Sequence, residues 1–558
     1  MAQAHMQTTA PGRPPALPSR PARAATPVGA RRWWAMAVLC VPLLIVSLDN
    51  TVLNVVLPTL VRKLHATDSQ LQWIVDAYVL VFGGLLLAAG GLADRVGRKR
   101  TFLAGLLLFA AGSSWAAFSG SVGMLIAARA SMGVGAALIM PSTLSIITNM
   151  FAQPGERQRA LGFWSATSGA GLALGPIVGG ALLAHFWWGS VFLINVPVAL
   201  LGALCALPLV PDSRDPHAGS LDTAGALLSV AGLALLLWAI IEAPVHGWTS
   251  PRVLGVGAAG LAVLAGFVAN ERASSNPLLS LRLFRSRRFS AAAASNGLLT
   301  FGLYGALFVL TQLLQFQLGY TPLQAGLRVL PAAGAIALVA PLSTVSVRTL
   351  GAKLAVAAGL LIVAGGLWQI SGATVATHYG GVLAGMVMLG GGAGLAIPAS
   401  TGAVMGSLPS AHTGVGSGTN GSFMQVGGAL GVAVVGSLLS TRYQHHLSAA
   451  LAPYRIPHAT LQPMLGSLGG ALAAVKQIGG PAGQLLSGLA RAGFVSGMDL
   501  GLLVGAGVAL AGALLALVLL PARAEGGEQA RPGPVQRGTS SASSSSSSRF
   551  GRSDRSHR

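Results

Sequence analysis

Charge is what this sequence has least of. Only 9% of its 558 residues are Asp, Glu, Lys or Arg, against about 25% in soluble domains. Lysine occurs only at Lys63, Lys99, Lys353 and Lys476, and none is followed by Ser or Thr. That argues against a phosphate-binding loop and against ATP-driven work by this chain alone. Cysteine is nearly absent: Cys40 and Cys205 both lie in apolar segments, so neither a disulfide framework nor a thiolate metal site is expected. No dense group of His, Asp or Glu offers metal or diphosphate chemistry, so an enzyme is not expected.

Apolar residues are abundant. They make up 53% of the chain, together with 76 glycines and 30 prolines, a composition suited to helices that pack closely and bend in lipid. The expected fold class is an all-α polytopic membrane protein. The net charge of +21 does not point to nucleic acid. Its arginines concentrate at 1–32, at Arg272 to Arg288 and at 522–558, as flanks and loops that contact membrane lipids and set orientation.

Fourteen apolar segments are long enough to cross a bilayer. They fall near 34–60, 71–92, 101–118, 122–148, 159–184, 189–210, 222–243, 252–271, 290–316, 324–347, 351–370, 378–403, 414–440 and 497–521. Basic residues recur on alternate loops, at Arg95 to Arg100, Arg157 and Arg159, Arg214, Arg282 to Arg288, and Arg348 with Lys353. That asymmetry places both termini in the cytoplasm. The basic flank before the first span is too long, and the span itself too long, for a cleavable signal. The expected layout is a disordered N-terminus (1–32), a six-helix bundle (33–211), two inserted helices (212–271), a basic loop (272–289), a second six-helix bundle (290–521) and a disordered tail (522–558). The outer loop 441–496 reads as amphipathic helix, arranged as a hairpin on the outer face.

The two bundles read as copies. Gly133-Val-Gly-Ala-Ala-Leu-Ile-Met-Pro141 in span four is echoed 257 residues later by Gly390-Gly-Gly-Ala-Gly-Leu-Ala-Ile-Pro398. Arg95, Gly97 and Lys99 have counterparts near Arg348, Gly351 and Lys353. Repeated bundles around a midplane site suggest alternating access by rocking. The copies differ in charge: the first carries Asp49, Asp76, Asp94 and Arg129, whereas spans nine to thirteen have no acidic residue.

A carboxylate at membrane depth costs roughly 2.5–3.5 kcal/mol on insertion scales and is a functional candidate by default. Asp49 is expected to gain and lose a proton; the structural alternative is a helix–helix hydrogen bond from a permanently protonated acid. Arg129 cannot release its proton. Brought near Asp49 it would expel that proton, and moved away it would let the proton return; the alternative is a fixed ion pair. Asp76, among Trp73, Tyr78 and Phe82, suits either a proton or a lipophilic cation held by charge and by aromatic faces. Phe301, Tyr304, Phe308, Gln312 and Gln315 fall at near-helical spacing in span nine. Such a stripe reads first as core and second as a drug-lining surface. Glu242, at the end of span seven, is explained by solvation.

Several runs together resemble the fourteen-helix drug:proton antiporters of the major facilitator superfamily. Leu48-Asp49-Asn50-Thr51-Val52-Leu53-Asn54-Val55-Val56-Leu57-Pro58 is similar to their span-one signature. Gly90-Gly91-Leu92-Ala93-Asp94-Arg95-Val96-Gly97-Arg98-Lys99 resembles the cytoplasmic gating motif. Arg129 with Gly133 and Gly135 resembles the proton-transfer motif, with Met132 where glutamine is usual. Gly171-Leu-Ala-Leu-Gly175-Pro176-Ile-Val-Gly179-Gly180 resembles the antiporter motif. Trp188-Gly-Ser-Val-Phe-Leu-Ile-Asn195-Val-Pro197 and Pro277-Leu278-Leu279 fall where that family has similar runs, and the long outer loop looks most like the QacA/SmvA type of quaternary-ammonium exporter. The resemblance covers residues 33 to 521.

It implies a major facilitator fold and proton-coupled export of lipophilic, monocationic drugs across the bacterial cytoplasmic membrane by a monomer, with the proton gradient as energy source and no cofactor or metal. Asp49, Arg129 and Asp76 would couple protons. Gly90, Asp94, Arg95, Gly97 and Arg98 would form the cytoplasmic gate. Gly171, Gly175, Pro176, Gly179 and Gly180 would limit leak. Asp76, Tyr78, Phe82, Tyr304, Phe308 and Gln312 would line the drug site. A dedicated exporter of an endogenous metabolite or antibiotic would carry the same coupling residues.

Overall fold

The computed structural model describes residues 28–151, 153–214, 221–408, 413–454 and 457–521. Among them only helices and connecting turns occur. In chain order they are α1 (Val28–Leu64), α2 (Asp68–Val96), α3 (Arg98–Ala117), α4 (Val122–Met150), α5 (Pro154–His185), α6 (Ser190–Leu193), α7 (Asn195–Leu209), α8 (Thr223–His246), α9 (Pro251–Ala273), α10 (Arg287–Gln312), α11 (Pro322–Ser371), α12 (Tyr379–Met405), α13 (Thr413–Leu451), α14 (His458–Gly466), α15 (Leu468–Ile478) and α16 (Gly480–Leu519). The disordered termini expected from composition fall outside the described residues, except that 28–32 already belong to α1.

Twelve helical stretches among the described residues are both long and apolar enough to cross a bilayer, α6 and α7 counting as one. One of them, α11, runs for 50 residues, about 75 Å of helix and more than twice a bilayer's hydrocarbon thickness. It is two spans, broken at Gly351, whose φ of 86° lies outside any right-handed helix. α3 adds a further apolar helix of 20 residues behind Arg98, Lys99 and Arg100. With α11 counted twice and α3 included, the fourteen expected spans are present.

The sequence repeat is visible in the packing. Gly97, with φ 118°, turns α2 into α3 just as Gly351 divides α11. Gly133 of α4 lies on the Tyr78 carbonyl of α2, and Gly390 of α12 lies on the Ala332 carbonyl of α11. Gly135 meets Gly105 of α3, and Gly392 meets Gly359 in the second part of α11. Equivalent glycines therefore let equivalent helices approach to backbone contact in both halves.

The halves meet where α2 packs on α13 and α5 on α11. α8 and α9 form the inserted pair, and α8 leans on both α2 and α13. At one end α5 and α11 touch closely: Gly180 sits against Leu323, and Gly326 against the Pro176 carbonyl. This end is covered by α14 and α15, with Gly469 of α15 pressed on Val61 and Phe316; it is called the cap end below. Segment 441–496 is thus mostly helix, because α13 carries through to Leu451 and α16 already starts at Gly480. At the opposite end α5 and α11 part, while the start of α13 stays on α2 through Gly418 against Leu87 and Ser422 donating to the Gly83 carbonyl. Every residue of α5 from Gly155 to Ala170 except Ala160 is at least partly exposed, and so is α11 from Ala337 to Leu350 except Ser343.

Candidate functional site

Asp49 lies mid-way along α1 and Arg129 a third of the way along α4, and both are buried, at 0% and 1% exposure. Nη1 of Arg129 donates a hydrogen bond to Oδ2 of Asp49, forming an ion pair. The guanidinium is held on its other sides too. Its Nε donates to the Ile74 carbonyl of α2 (3.2 Å), and its carbon lies 4.3 Å from the centre of the Tyr78 ring. Asn195 of α7 donates to Oδ1 of Asp49 (3.5 Å) and to Ser113 Oγ of α3 (3.1 Å). Ser113 in turn donates to the Phe192 carbonyl (2.8 Å). Six helices of the first half thus converge on one carboxylate. A buried ion pair adds little net stability even with such support, and breaking it from one side costs about 3–5 kcal/mol. Such a pair persists where charge has work to do.

The glycine run of α5 lies against the same stretch of α1. Gly171 meets Leu44 and Ser47, Gly175 meets Thr51, and Gly179 meets Val52. A methyl group on Gly175 would overlap the Thr51 hydroxyl, so glycine at every fourth position sets the distance between α5 and the Asp49 turn. Pro176, between them, has no N–H for the carbonyl of Leu172 one turn earlier. The Thr51 hydroxyl donates to that carbonyl instead (3.0 Å). The other face of the motif, Pro176 and Gly180, touches α11 of the second half. One ten-residue run therefore joins the buried carboxylate to the contact between halves.

Asp76 is not drawn into the ion pair: both its oxygens are buried without a partner among the described residues. Tyr78 serves Arg129 and packs at a tilt against Phe82, 5.8 Å between centroids. Phe301, Phe308 and Phe82 are buried in the main apolar core, and Tyr304 packs against it. Gln312 donates to the Phe308 carbonyl of its own helix (3.3 Å), whereas Gln315 reaches across to the Val55 carbonyl of α1 (2.8 Å). Glu242 sits 3.6 Å from His246 and near Ser69 of α2. At the open end Asp94 pairs with Arg98 (2.8 Å), Gly97 makes the turn, Arg95 is exposed, and Lys99 donates to the Leu207 carbonyl (2.6 Å). Gly90 faces Pro141 of α4. The gating run is thus organised within the first half, at the end where α5 and α11 stand apart.

An internally repeated helical chain with a buried acid–guanidinium pair is matched by known proteins. Residues 39–432 fit the Major Facilitator Superfamily. The chain belongs to that superfamily. This transporter is 36% identical over 471 residues to the multidrug efflux pump LfrA of Mycolicibacterium smegmatis, covering 84% of this chain and 92% of that protein. It is 34% identical over 497 residues to a tetracenomycin C resistance and export protein of Streptomyces glaucescens, covering 87% and 91%. In fold it matches an inward-facing, occupied bacterial homologue of the human lysosomal transporter Spinster, with a TM-score of 0.61 over 88% of this chain and 97% of that one, at 16% identity.

Thr51 and Asn195 stand in the sequence reading only inside motif runs, with no role of their own, and Ser113 does not appear there. Asn195 and Ser113 each stand as a polar residue inside an apolar span, a signal that exists but is weaker than a charge. Thr51 could have been found only by asking which group replaces the N–H that Pro176 lacks.

Proposed function

We propose that this chain is a proton-coupled antiporter that exports lipophilic, monocationic compounds, such as quaternary ammonium salts and dyes, across the bacterial cytoplasmic membrane. Both termini lie in the cytoplasm, so the open end faces inward and the cap end outward. The transporter acts as a monomer in contact with lipid, draws on the proton gradient, and needs no cofactor and no nucleic acid. The observation that carries this reading is the wholly buried Asp49–Arg129 pair. With the open end inward, Arg129 holds Asp49 as a carboxylate, which is the state after proton release to the cytoplasm. Separation of the pair in the other conformation lets Asp49 take a proton from outside. Asp76, buried and without a partner among the described residues, is placed to answer a cation or a second proton. Exchange at linked carboxylates then needs no ATP.

The test is the pH gradient of energised everted vesicles, followed on adding ethidium or a quaternary ammonium compound. Wild type should dissipate the gradient, and Asp49→Asn should lose at least about tenfold of that rate. An equal response in both would make Asp49 structural and move coupling to Asp76. A dedicated exporter of the host's own antibiotic is the second reading, favoured by the similarity to a protein named for tetracenomycin C resistance and export. It predicts no response to any lipophilic cation.

A further inference from the structure

Three polar side chains of α2 stay outside the Asp49–Arg129 network. Asp68, Gln72 and Asp76 recur every fourth residue, so they form one stripe with about 6 Å of rise between neighbours. All are buried, at 2%, 0% and 0% exposure. Each keeps a polar atom without a partner among the described residues: Oδ1 of Asp68, Nε2 of Gln72 and both oxygens of Asp76. Buried polar groups are almost always paired, and one exception per helical turn on a single stripe is not what packing selects.

The stripe begins at the cap end. Thr67 already caps α2, in a reciprocal box with Gln70, so the Asp68 carboxylate is not required there. At this end Tyr443 of α13 ties the cap down, donating to the carbonyls of Met464 (2.7 Å) and Ser467 (3.3 Å). From α8, Glu242 approaches Ser69, the next residue along, and carries His246 3.6 Å away on its own helix. His65 occupies the turn before α2, and Arg62 and Lys63 end α1. One turn down, Ser437 of α13 donates to Oε1 of Gln72 (3.1 Å). Gly436 leaves room for that amide, since a methyl group there would stand 2.7 Å from its Cδ. Gln72 is therefore fixed by its oxygen with its NH₂ left to donate. Asp76 follows on the same stripe, between the Gln72–Gly436 contact and the Gly83–Gln425 contact. The first half supplies the stripe and the second half its wall, so the route lies in the seam that alternating access opens and closes.

We propose that Asp68, Gln72 and Asp76 form a proton-uptake route from the cap end to mid-membrane. Asp68 takes one proton from outside. The proton passes to the Asp76 carboxylate through water held by the Gln72 amide, which is itself unchanged, and Asp68 returns to its carboxylate form. The gaps between neighbours suit a bridging water. This rests on the proton-coupled reading above and adds the outer half of the path.

The experiment uses the full chain in liposomes, with radiolabelled tetraphenylphosphonium as substrate and an enclosed pH dye. Two rates are measured: transport driven by a pH gradient, and exchange of labelled for unlabelled substrate, which needs no net proton movement. In Asp68→Asn and Gln72→Leu, gradient-driven transport should fall at least about tenfold while exchange stays within about twofold of wild type. Asp68→Glu, which keeps the acid, should restore driven transport. Equal loss of both rates, or no loss of either, would overturn the route while leaving proton coupling intact. Net transport of the substrate by wild type with no proton movement at all would overturn the coupling itself and the route with it.

Discussion

At the scale of single residues the site is a set of compensations. Arg129 compensates the charge of Asp49, and Thr51 compensates the hydrogen bond that Pro176 removes. Each implies a measurement. Thr51→Val should leave the Leu172 carbonyl unpaired in an apolar seam and cost about 1–3 kcal/mol, lowering the unfolding temperature in detergent, whereas Thr51→Ser should stay close to wild type. Arg129→Gln should destabilise by about 3–5 kcal/mol, because it strands a buried carboxylate. Adding Asp49→Asn to it should recover much of that loss; a double variant no more stable than Arg129→Gln would mean the two side chains do not act as a pair. Charged residues were legible in the sequence because a charge inside an apolar run has few cheap explanations. Asn195 and Ser113 were not, because Asn and Ser can satisfy themselves on their own helix and so carry no such cost.

At the scale of helices, glycine spacing sets how closely each pair approaches. The positions of the spans could be read from hydropathy to within a few residues, since lipid leaves the backbone only helical solutions. Their ends could not be read where a helix continues past the bilayer into its own cap, as α13 and α16 do. The divide at Gly351 was legible from the break between the apolar segments, from Arg348 and Lys353 on either side of it, and from its likeness to Gly97. Within α5 two neighbouring glycines make a direct test. Gly171 is wedged against Leu44 and Ser47 of α1, whereas a methyl group on Gly169 meets open space. Gly169→Ala should leave transport intact and stabilise the helix by up to about 1 kcal/mol. Gly171→Ala should push α5 off the Asp49 turn and reduce both thermal stability and transport. Equal effects would show that the motif's glycines act through flexibility and not through contact.

At the scale of the whole molecule, the state observed is closed at the cap end and open at the other, and one contact can be made to decide between them. Gly326 of α11 lies so close to the Pro176 carbonyl of α5 that any Cβ there would overlap it. Backbone cannot yield as a side-chain tip can, so the two helices must separate. Gly326→Ala should therefore loosen the cap end and shift the population toward the opposite conformation. A cysteine at Gln315, which is buried beside Val55 at that end, reports the shift in a background lacking Cys40 and Cys205. A membrane-impermeant thiol reagent added outside should label Gln315→Cys several-fold faster when Gly326→Ala is present, and transport should slow because the inward-open state becomes harder to reach. A population shift that raises labelling tenfold corresponds to about 1.4 kcal/mol between the two conformations, well within what one backbone overlap can supply. Unchanged labelling with slowed transport would place the hinge elsewhere, in the α2–α13 seam that carries Gln72 and Asp76.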